Sequence, residues 1–338
     1  MKTPKVWFPA IRCGSGADVF TERLCRALNA QGIRAEITWL PHRAEYLPWS
    51  VPIPKSPDWA TIVHVNTWLH PRFIPSHLPV VATMHHVVHD PAFAPYRTRA
   101  QMLYHTLWIK PIEARVLHRA NAVTAVSHYT AKQVAAVFGH HNVTVIPNGI
   151  DTDIFRPGPD RPPHQPFRLL FVGNWSRRKG ADLLAPIMQK LGADFELWVT
   201  SGLRDWRDNT ALPSNIRFLG RIPTTEALVR IYQETDALLF PSRLEGFGLV
   251  ALEAMACGTP VIAGKGSALP KVVKDSITGF LVETDDCDAF AERAYQLKQD
   301  TALHGKFSHS ARHDALARFS EKNCTLEYIQ IYEKILER

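Results

Sequence analysis

Apolar residues in this chain gather in short β-rich runs, and the stretches between them carry helical spacing. In the first half, KVWFPA (5–10), AEITWL (35–40), TIVHV (61–65), PVVATM (79–84), AVTAVS (122–127) and NVTVIP (142–147) predict strands. Between the first two, Phe20, Leu24, Ala27 and Leu28 fall at i, i+4, i+7 and i+8. That spacing predicts a helix from about Ala17 to Gln31, stopped by Gly32. Glu22 and Arg26 add an i,i+4 pair on its outer face. The rhythm restarts with FRLLFVG (167–173), FELWVT (195–200), NIRFLG (215–220), DALLFPS (236–242), PVIA (260–263) and GFLVE (279–283). The last stretch, from Ser320 to Arg338, reads as an amphipathic terminal helix.

Strands alternating with helices predict an α/β protein with parallel sheets. The two series are separated by DTDIFRPGPDRPPHQP (151–166), whose five prolines mark a loop and a domain boundary. The expected layout is a domain over 1–155, a second over 156–319, and a terminal helix over 320–338 packing back toward the first. Both domains read as Rossmann-like and doubly wound. Ligands in such folds sit at the carboxyl ends of the strands, and a cleft between two domains is the expected site.

Length and composition agree with this layout. The 338 residues suggest two domains at roughly 150 each. With 46% apolar and 21% charged residues, the chain is neither disordered, collagen-like nor a coiled coil. The formal charge of +7, from 39 basic and 32 acidic residues, fits an anionic ligand, an anionic membrane surface or nucleic acid. The five cysteines are odd in number and lack CxxC spacing, against a disulfide framework and a zinc knuckle. The start has no apolar signal region, and no apolar run approaches about 18 residues. The expectation is a cytoplasmic protein, with peripheral contact at the cytoplasmic membrane face as a second option.

The densest candidate chemistry is EGFGLVALE (245–253), directly after the strand DALLFPS. Glu245 precedes a helix read from about Leu249 to Cys257, and Glu253 lies about one turn into it. Gly246 and Gly248 permit close backbone approach. The amides of Phe247, Gly248 and Leu249 lie at the new helix start, where an anion is favoured. Carboxylates on either side suit sugar and ribose hydroxyls, which donate strong charge-assisted hydrogen bonds. The competing reading is an ordinary glycine turn with a capping glutamate.

FVGNWSRRKG (171–180) follows the first strand of the second series. Arg177, Arg178 and Lys179 stand at a helix start, where cations oppose the dipole unless an anion binds. A solvated basic turn is the plain alternative. CGSGADV (13–19) half-matches a dinucleotide fingerprint, with Val19 in place of the third glycine. It reads better as a tight loop near a phosphate. TMHHVVHD (83–90) lacks a metal-protease spacing, and a histidine reaching into the cleft fits it better than a metal. Asp151 and Asp153 read as turn residues. The stretch 97–119 is helical, basic and aromatic. It would suit an anionic membrane, but Leu103, Leu107, Ile109 and Leu117 are read as facing a core, with Pro111 as an interruption.

Taken together, these segments resemble the retaining glycosyltransferases of the GT-B fold, specifically family 4. The similarity rests on EGFGLVALE continuing into AMACGTPVIA, on AVTAVSHYTAKQVAAVFG with NVTVIPNGIDTDIFRP, on GSGADVFTERLCRALNAQG, and on NIRFLGRIPTTEALVRIYQETDALLFPS. It runs over nearly the whole chain. It implies a metal-independent, cofactor-free enzyme moving a sugar from a UDP- or GDP-linked donor to a hydroxyl acceptor, such as a glycan or lipid-linked glycan. By the family pattern, Glu253 would hold the ribose hydroxyls, and Glu245 the sugar hydroxyls. Gly246 and the amides of Phe247 to Leu249 would lie near the sugar and diphosphate. Lys179 would hold the leaving diphosphate, His85 would face the transferred sugar, Gly16 would sit under the phosphates, and Arg221 and Ile222 would lie near the base.

Three positions depart from the pattern: Asn174 stands where the family often has arginine, His86 where an aspartate is common, and Ser15 where a first glycine is. The arginine role passes to Arg178 or Arg177. A non-catalytic donor-binding subunit is the alternative, and nucleic-acid binding rests on net charge alone.

Overall fold

The computed structural model describes residues 3–201 and 212–337. By its contacts the chain divides into two units: Met1–Gly149 with Glu321–Arg338, and Ile150–Ser320.

The first unit is built on β1 (Val6–Ile11), β2 (Ala35–Leu40), β3 (Ile62–Asn66), β4 (Val80–Met84), β5 (Ala122–Ala125) and β6 (Val143–Val145). They form one parallel sheet in the order β2-β1-β3-β4-β5-β6. β1 and β4 are buried at every position, which is why their sequences are continuous apolar runs rather than alternating ones. Helices α1 (Gly16–Ala30), α2 (Arg99–Tyr104), α3 (Lys110–Arg119) and α4 (His128–Phe138) are the crossovers. The strand order reverses between β1 and β3, and at such a point the carboxyl ends of neighbouring strands open a crevice.

The second unit carries β7 (Phe167–Gly173), β8 (Phe195–Ser201), β9 (Ile216–Gly220), β10 (Ala237–Phe240), β11 (Val261–Gly264) and β12 (Gly279–Val282). Its parallel order is β12-β11-β10-β7-β8-β9. Counted from β7, this is the Rossmann order 3-2-1-4-5-6, with its switch point between β7 and β10. Its helices are α5 (Ala181–Leu191), α6 (Thr225–Gln233), α7 (Leu249–Ala256), α8 (Leu269–Val272), α9 (Cys287–Gln299) and α10 (Thr301–Phe319). Phe167, Phe171, Leu184, Ile187, Phe195, Phe290 and Phe307 fill one continuous core between sheet and helices.

The terminal helix α11 (Glu321–Leu336) belongs to the first unit. Tyr328, Ile329 and Tyr332 enter the core with Phe8, Phe20, Leu24 and Leu28, and Arg26 of α1 pairs with Glu321 at 3.0 Å. His64 on β3 is fully buried between Tyr332 Oη and Thr83 Oγ1, both at 2.7 Å.

The sequence reading and the structure differ at several places. The unit boundary falls at Gly149/Ile150 rather than near 155: the Ile150 amide donates to Phe319, and Phe155 is buried with its carbonyl accepting from Arg312. DALLFPS yields a strand only to Phe240, since Pro241 has no amide for the ladder. The stretch 97–119 is not one helix facing a core. It is α2, a π turn over His105–Ile109, and α3, with Pro111 in the first turn of α3, where no amide is needed. Ile109 and Leu117 are buried, but Leu103 and Leu107 are 60% and 67% exposed: α2 buries none of its residues, and the π turn buries only His105 and Ile109.

Candidate active site

In the second unit, two loops meet at the switch point. The one after β7 runs through Asn174–Ser176 into a 3-10 turn at Arg177–Lys179, with the Ser176 side chain as its cap. The other follows β10 and leads through 241–248 into α7. β7 and β10 are hydrogen-bonded neighbours, so their carboxyl ends lie side by side. Gly180 fits this packing only as glycine: its φ is +73°, and an added Cβ would come within 2.1 Å of the Pro241 carbonyl oxygen.

The packing brings Lys179 Nζ to 2.6 Å from Glu245 Oε1. Ser242 Oγ donates to the same oxygen at 2.5 Å, and the Glu245 amide donates to Ser267 Oγ at 2.7 Å. Arg178 donates to the Leu244 carbonyl at 2.6 Å and stands 4.0 Å from Glu245 Oε2. Burial pushes the Glu245 carboxyl up, but Lys179 and Arg178 outweigh it and hold the group below the ordinary carboxylate range. Burial lowers Lys179 from its ordinary value, with Glu245 opposing that shift and Arg178 adding to it. Two cations thus face one carboxylate in a partly desolvated place, a local excess of positive charge that favours an anion.

Arg177 turns away; its side chain is 75% exposed and lies 3.7 Å from Asp182. Of the two arginines offered in place of one at Asn174, only Arg178 is brought to Glu245. Arg243 braces the two loops, with a two-pronged bond to Asp182 at 2.7 and 2.9 Å, one to Asp285 at 2.5 Å, and one to the Arg177 carbonyl.

Gly248 is the N-cap of α7 at φ +106°, and the first helical amides follow it. Gly246 and Phe247 are buried, the latter ring against ring with Phe319 at 5.7 Å, while Leu249 is half-buried. Glu253 is buried in α7, and Tyr232 Oη donates to its Oε2 at 3.1 Å. Arg221 is exposed and Ile222 half-buried in the loop between β9 and α6.

In the first unit, the loop after β1 is tied by Asp18, whose Oδ2 accepts from the amides of Cys13 and Gly14, both at 2.8 Å. Gly16 opens α1 just beyond. Two of the amides that could have met an anion here are therefore already held by the chain's own carboxylate. His85 follows β4; its Nε2 bonds Asn66 Oδ1 at 2.8 Å and its ring meets Phe20 at 4.6 Å. Burial lowers it to about 4, so the imidazole is neutral near pH 7. The neighbouring histidines go elsewhere: His89 bonds Glu113 at 3.0 Å, and His86 packs against Phe93. Asp151 accepts from the amides of Asp153 and Ile154, a turn role.

Sequence reading did not single out Asp18, Asn66, Tyr232, Ser242, Arg243 or Ser267. Only Asp18 carried a local signal, as an acid in a first helical turn. Ser242 meets Glu245 three residues on, and the others act through contacts 19 or more residues apart in sequence.

The family model described as "Glycosyl transferases group 1" matches residues 156–314, and the one described as "Glycosyltransferase Family 4" matches 39–154. A protein of Mycobacterium tuberculosis named alpha-maltose-1-phosphate synthase is 29% identical over 310 residues, covering 82% of this chain and 79% of that protein. Among solved structures, sucrose-phosphate synthase from Thermosynechococcus elongatus has TM-score 0.81 at 21% identity, covering 98% of this chain and 100% of that one. Anabaena HepE, solved in complex with UDP and glucose, has TM-score 0.75 at 15% identity, covering 98% and 99%. At those identities the two structures speak for the fold.

Proposed function

The chain belongs to the group 1 glycosyltransferases, with its first part matched by family 4, and on that basis we propose that it transfers a sugar from a UDP- or GDP-linked donor to a hydroxyl, retaining configuration and using neither metal nor cofactor. The observation that carries the proposal is the Lys179–Glu245 pair with Arg178 beside it, at the switch point of the second sheet. Departure of a nucleoside diphosphate builds negative charge, and fixed cations in a partly desolvated place stabilise it. Lys179 and Arg178 supply here what a divalent cation would otherwise supply. Glu245, kept ionised by those cations, accepts from sugar hydroxyls; Glu253, steadied by Tyr232, accepts from the ribose. Gly246 and the amides from Phe247 to Leu249 border the sugar and diphosphate, and Arg221 and Ile222 the base. In the first unit, His85 is a neutral hydrogen-bonding group just past β4, and Gly16 opens α1. The test is release of nucleoside diphosphate with acceptor, in the parent, Lys179→Ala and Glu253→Ala. Both variants should lose about 100-fold or more; parental rates in both would overturn the assignment.

The proposed acceptor is lipid-linked, presented at an anionic membrane surface. Among the described residues, no helix is long and apolar enough to cross a membrane. Met102, Leu103 and Leu107 are exposed on one segment and Leu47, Trp49 and Ile53 on another, and Trp49 meets Trp108 at 5.9 Å, joining the two. Arg43, Arg99 and Lys110 stand exposed in the same segments. Apolar side chains ringed by cations suit anionic headgroups. Sedimentation with anionic and neutral vesicles tests this: anionic vesicles should retain the parent and release a Leu103→Asp/Leu107→Asp variant. Equal recovery of both proteins would refute it.

A further inference from the structure

We propose that Cys13, His42 and Glu45 form a binding site for a divalent transition-metal ion of the zinc class, separate from the residues assigned to sugar transfer. Their donor atoms all lie within 4.8 Å of one another, the one such group among the described residues. The topology explains the meeting. β1 and β2 pair in parallel up to Ile11 and Leu40, so Cys13 just past the first lies beside the 3-10 turn His42–Ala44 just past the second. His42 and Glu45, three apart on that turn, present one face.

With no ion bound, the Cys13 thiol donates weakly to the Ile11 carbonyl at 3.6 Å and to Glu45 Oε2, and His42 Nε2 stands beyond hydrogen-bond length from that oxygen. Cys13 Sγ is 3.8 Å and His42 Nε2 3.7 Å from the same oxygen, Glu45 Oε2. The histidine contact is too long for a hydrogen bond. Tetrahedral zinc, with bonds of about 2.0–2.3 Å, holds its ligand atoms about 3.3–3.6 Å apart. The remaining polar atoms are held from outside. Tyr46 Oη sits 2.8 Å from His42 Nδ1, and Tyr104 Oη donates to Glu45 Oε1 at 3.0 Å. Such outer partners orient ligands toward a metal, with the Nδ1 proton on the tyrosine side and the Nε2 lone pair inward. On binding, the Cys13 thiol gives its proton to solvent and its sulfur becomes a thiolate ligand. Three protein ligands leave a fourth position for water or an added anion. The ion would pin the Cys13–Gly16 loop to the turn after β2.

The experiment titrates the full chain with Zn2+ against a chromogenic chelator and with Co2+ followed by absorption. One ion per chain is expected, with a thiolate-to-cobalt charge-transfer band. Cys13→Ser should abolish that band, and His42→Ala, on an exposed turn, should weaken binding while leaving the circular dichroism unchanged. Tyr104→Phe should weaken zinc by about 10-fold. No stoichiometric binding, or a cobalt spectrum unaltered in Cys13→Ser, would overturn the site. No donor sugar enters the readout, so the outcome is independent of the transfer reaction.

Discussion

Lys179 Nζ lies 2.6 Å from Glu245 Oε1, across 66 residues of chain and between the loops that follow adjacent strands. Each group compensates the burial of the other, and Arg178 leaves the pair with positive charge to spare.

Breaking this pair from the cationic side should harm both fold and function. Lys179→Ala leaves Glu245 buried beside Arg178 alone, and removal of one partner of a buried pair costs about 3–5 kcal/mol. A lowered melting temperature is expected along with lost turnover. Glu245→Gln leaves Lys179 and Arg178 facing no carboxylate, so it should also melt below the parent and be impaired in turnover. Equal stability of all three proteins would contradict the account.

Acid should destabilise the protein through its buried histidines before most carboxylates protonate. Burial lowers His64 to about 3 and His85 to about 4, from an ordinary 6.5. Folded values below unfolded ones mean stability that is complete above 6.5 and lost as pH falls toward those folded values. For His64 the slope is at most about 1.4 kcal/mol per pH unit. Urea melts between pH 7 and about 4 should show this loss in the parent. A His64→Gln variant should have a flatter profile; an identical slope would assign the effect elsewhere.

Tyr232 donates to Glu253, the carboxylate proposed to hold the ribose. Tyr232→Phe should raise the donor KM by about 10-fold, the worth of one hydrogen bond to a charged group, while kcat changes little. An equal fall in kcat with unchanged KM would remove Tyr232 from the positioning role.

Two glycines with positive φ in the second unit should respond very differently to alanine. At Gly180 a Cβ would meet the Pro241 carbonyl at 2.1 Å, whereas at Gly192, with φ +63°, nothing lies within 4 Å. Gly192, at φ +63° and ψ −157°, lies in a region that is essentially glycine's alone, and Gly192→Ala should cost about 1–3 kcal/mol for the backbone alone. Gly180→Ala should cost more and also reduce turnover, because Lys179 precedes it. Thermal melts and product release on both variants separate strain from loop displacement.

Local chemistry was legible where its cause is local. Strands β2 and β7 stand at the bounds their apolar runs predict, and α1 and α11 lie within a residue or two of the expected ends. The glycine turn ahead of α7 was equally readable, since Gly248 needs a left-handed backbone there and α7 begins at once. The exposure of Leu103 and Leu107 was not readable. Periodicity marks an apolar face but not whether tertiary packing covers it, and α2 buries none of its residues.

By itself the amino-acid sequence determined the alternation of strand and helix and the positions of Glu245, Glu253 and the Arg177–Lys179 cluster. Backbone periods of two and 3.6 residues, and the special φ of glycine, act over a few neighbouring residues. Only the tertiary structure decided that β10 lies beside β7, and hence that Lys179 meets Glu245, that Arg178 rather than Arg177 joins them, and that Cys13 stands with His42 and Glu45. Strand order is a choice among pairings that bury similar apolar runs, and burial of both faces of the whole sheet makes it.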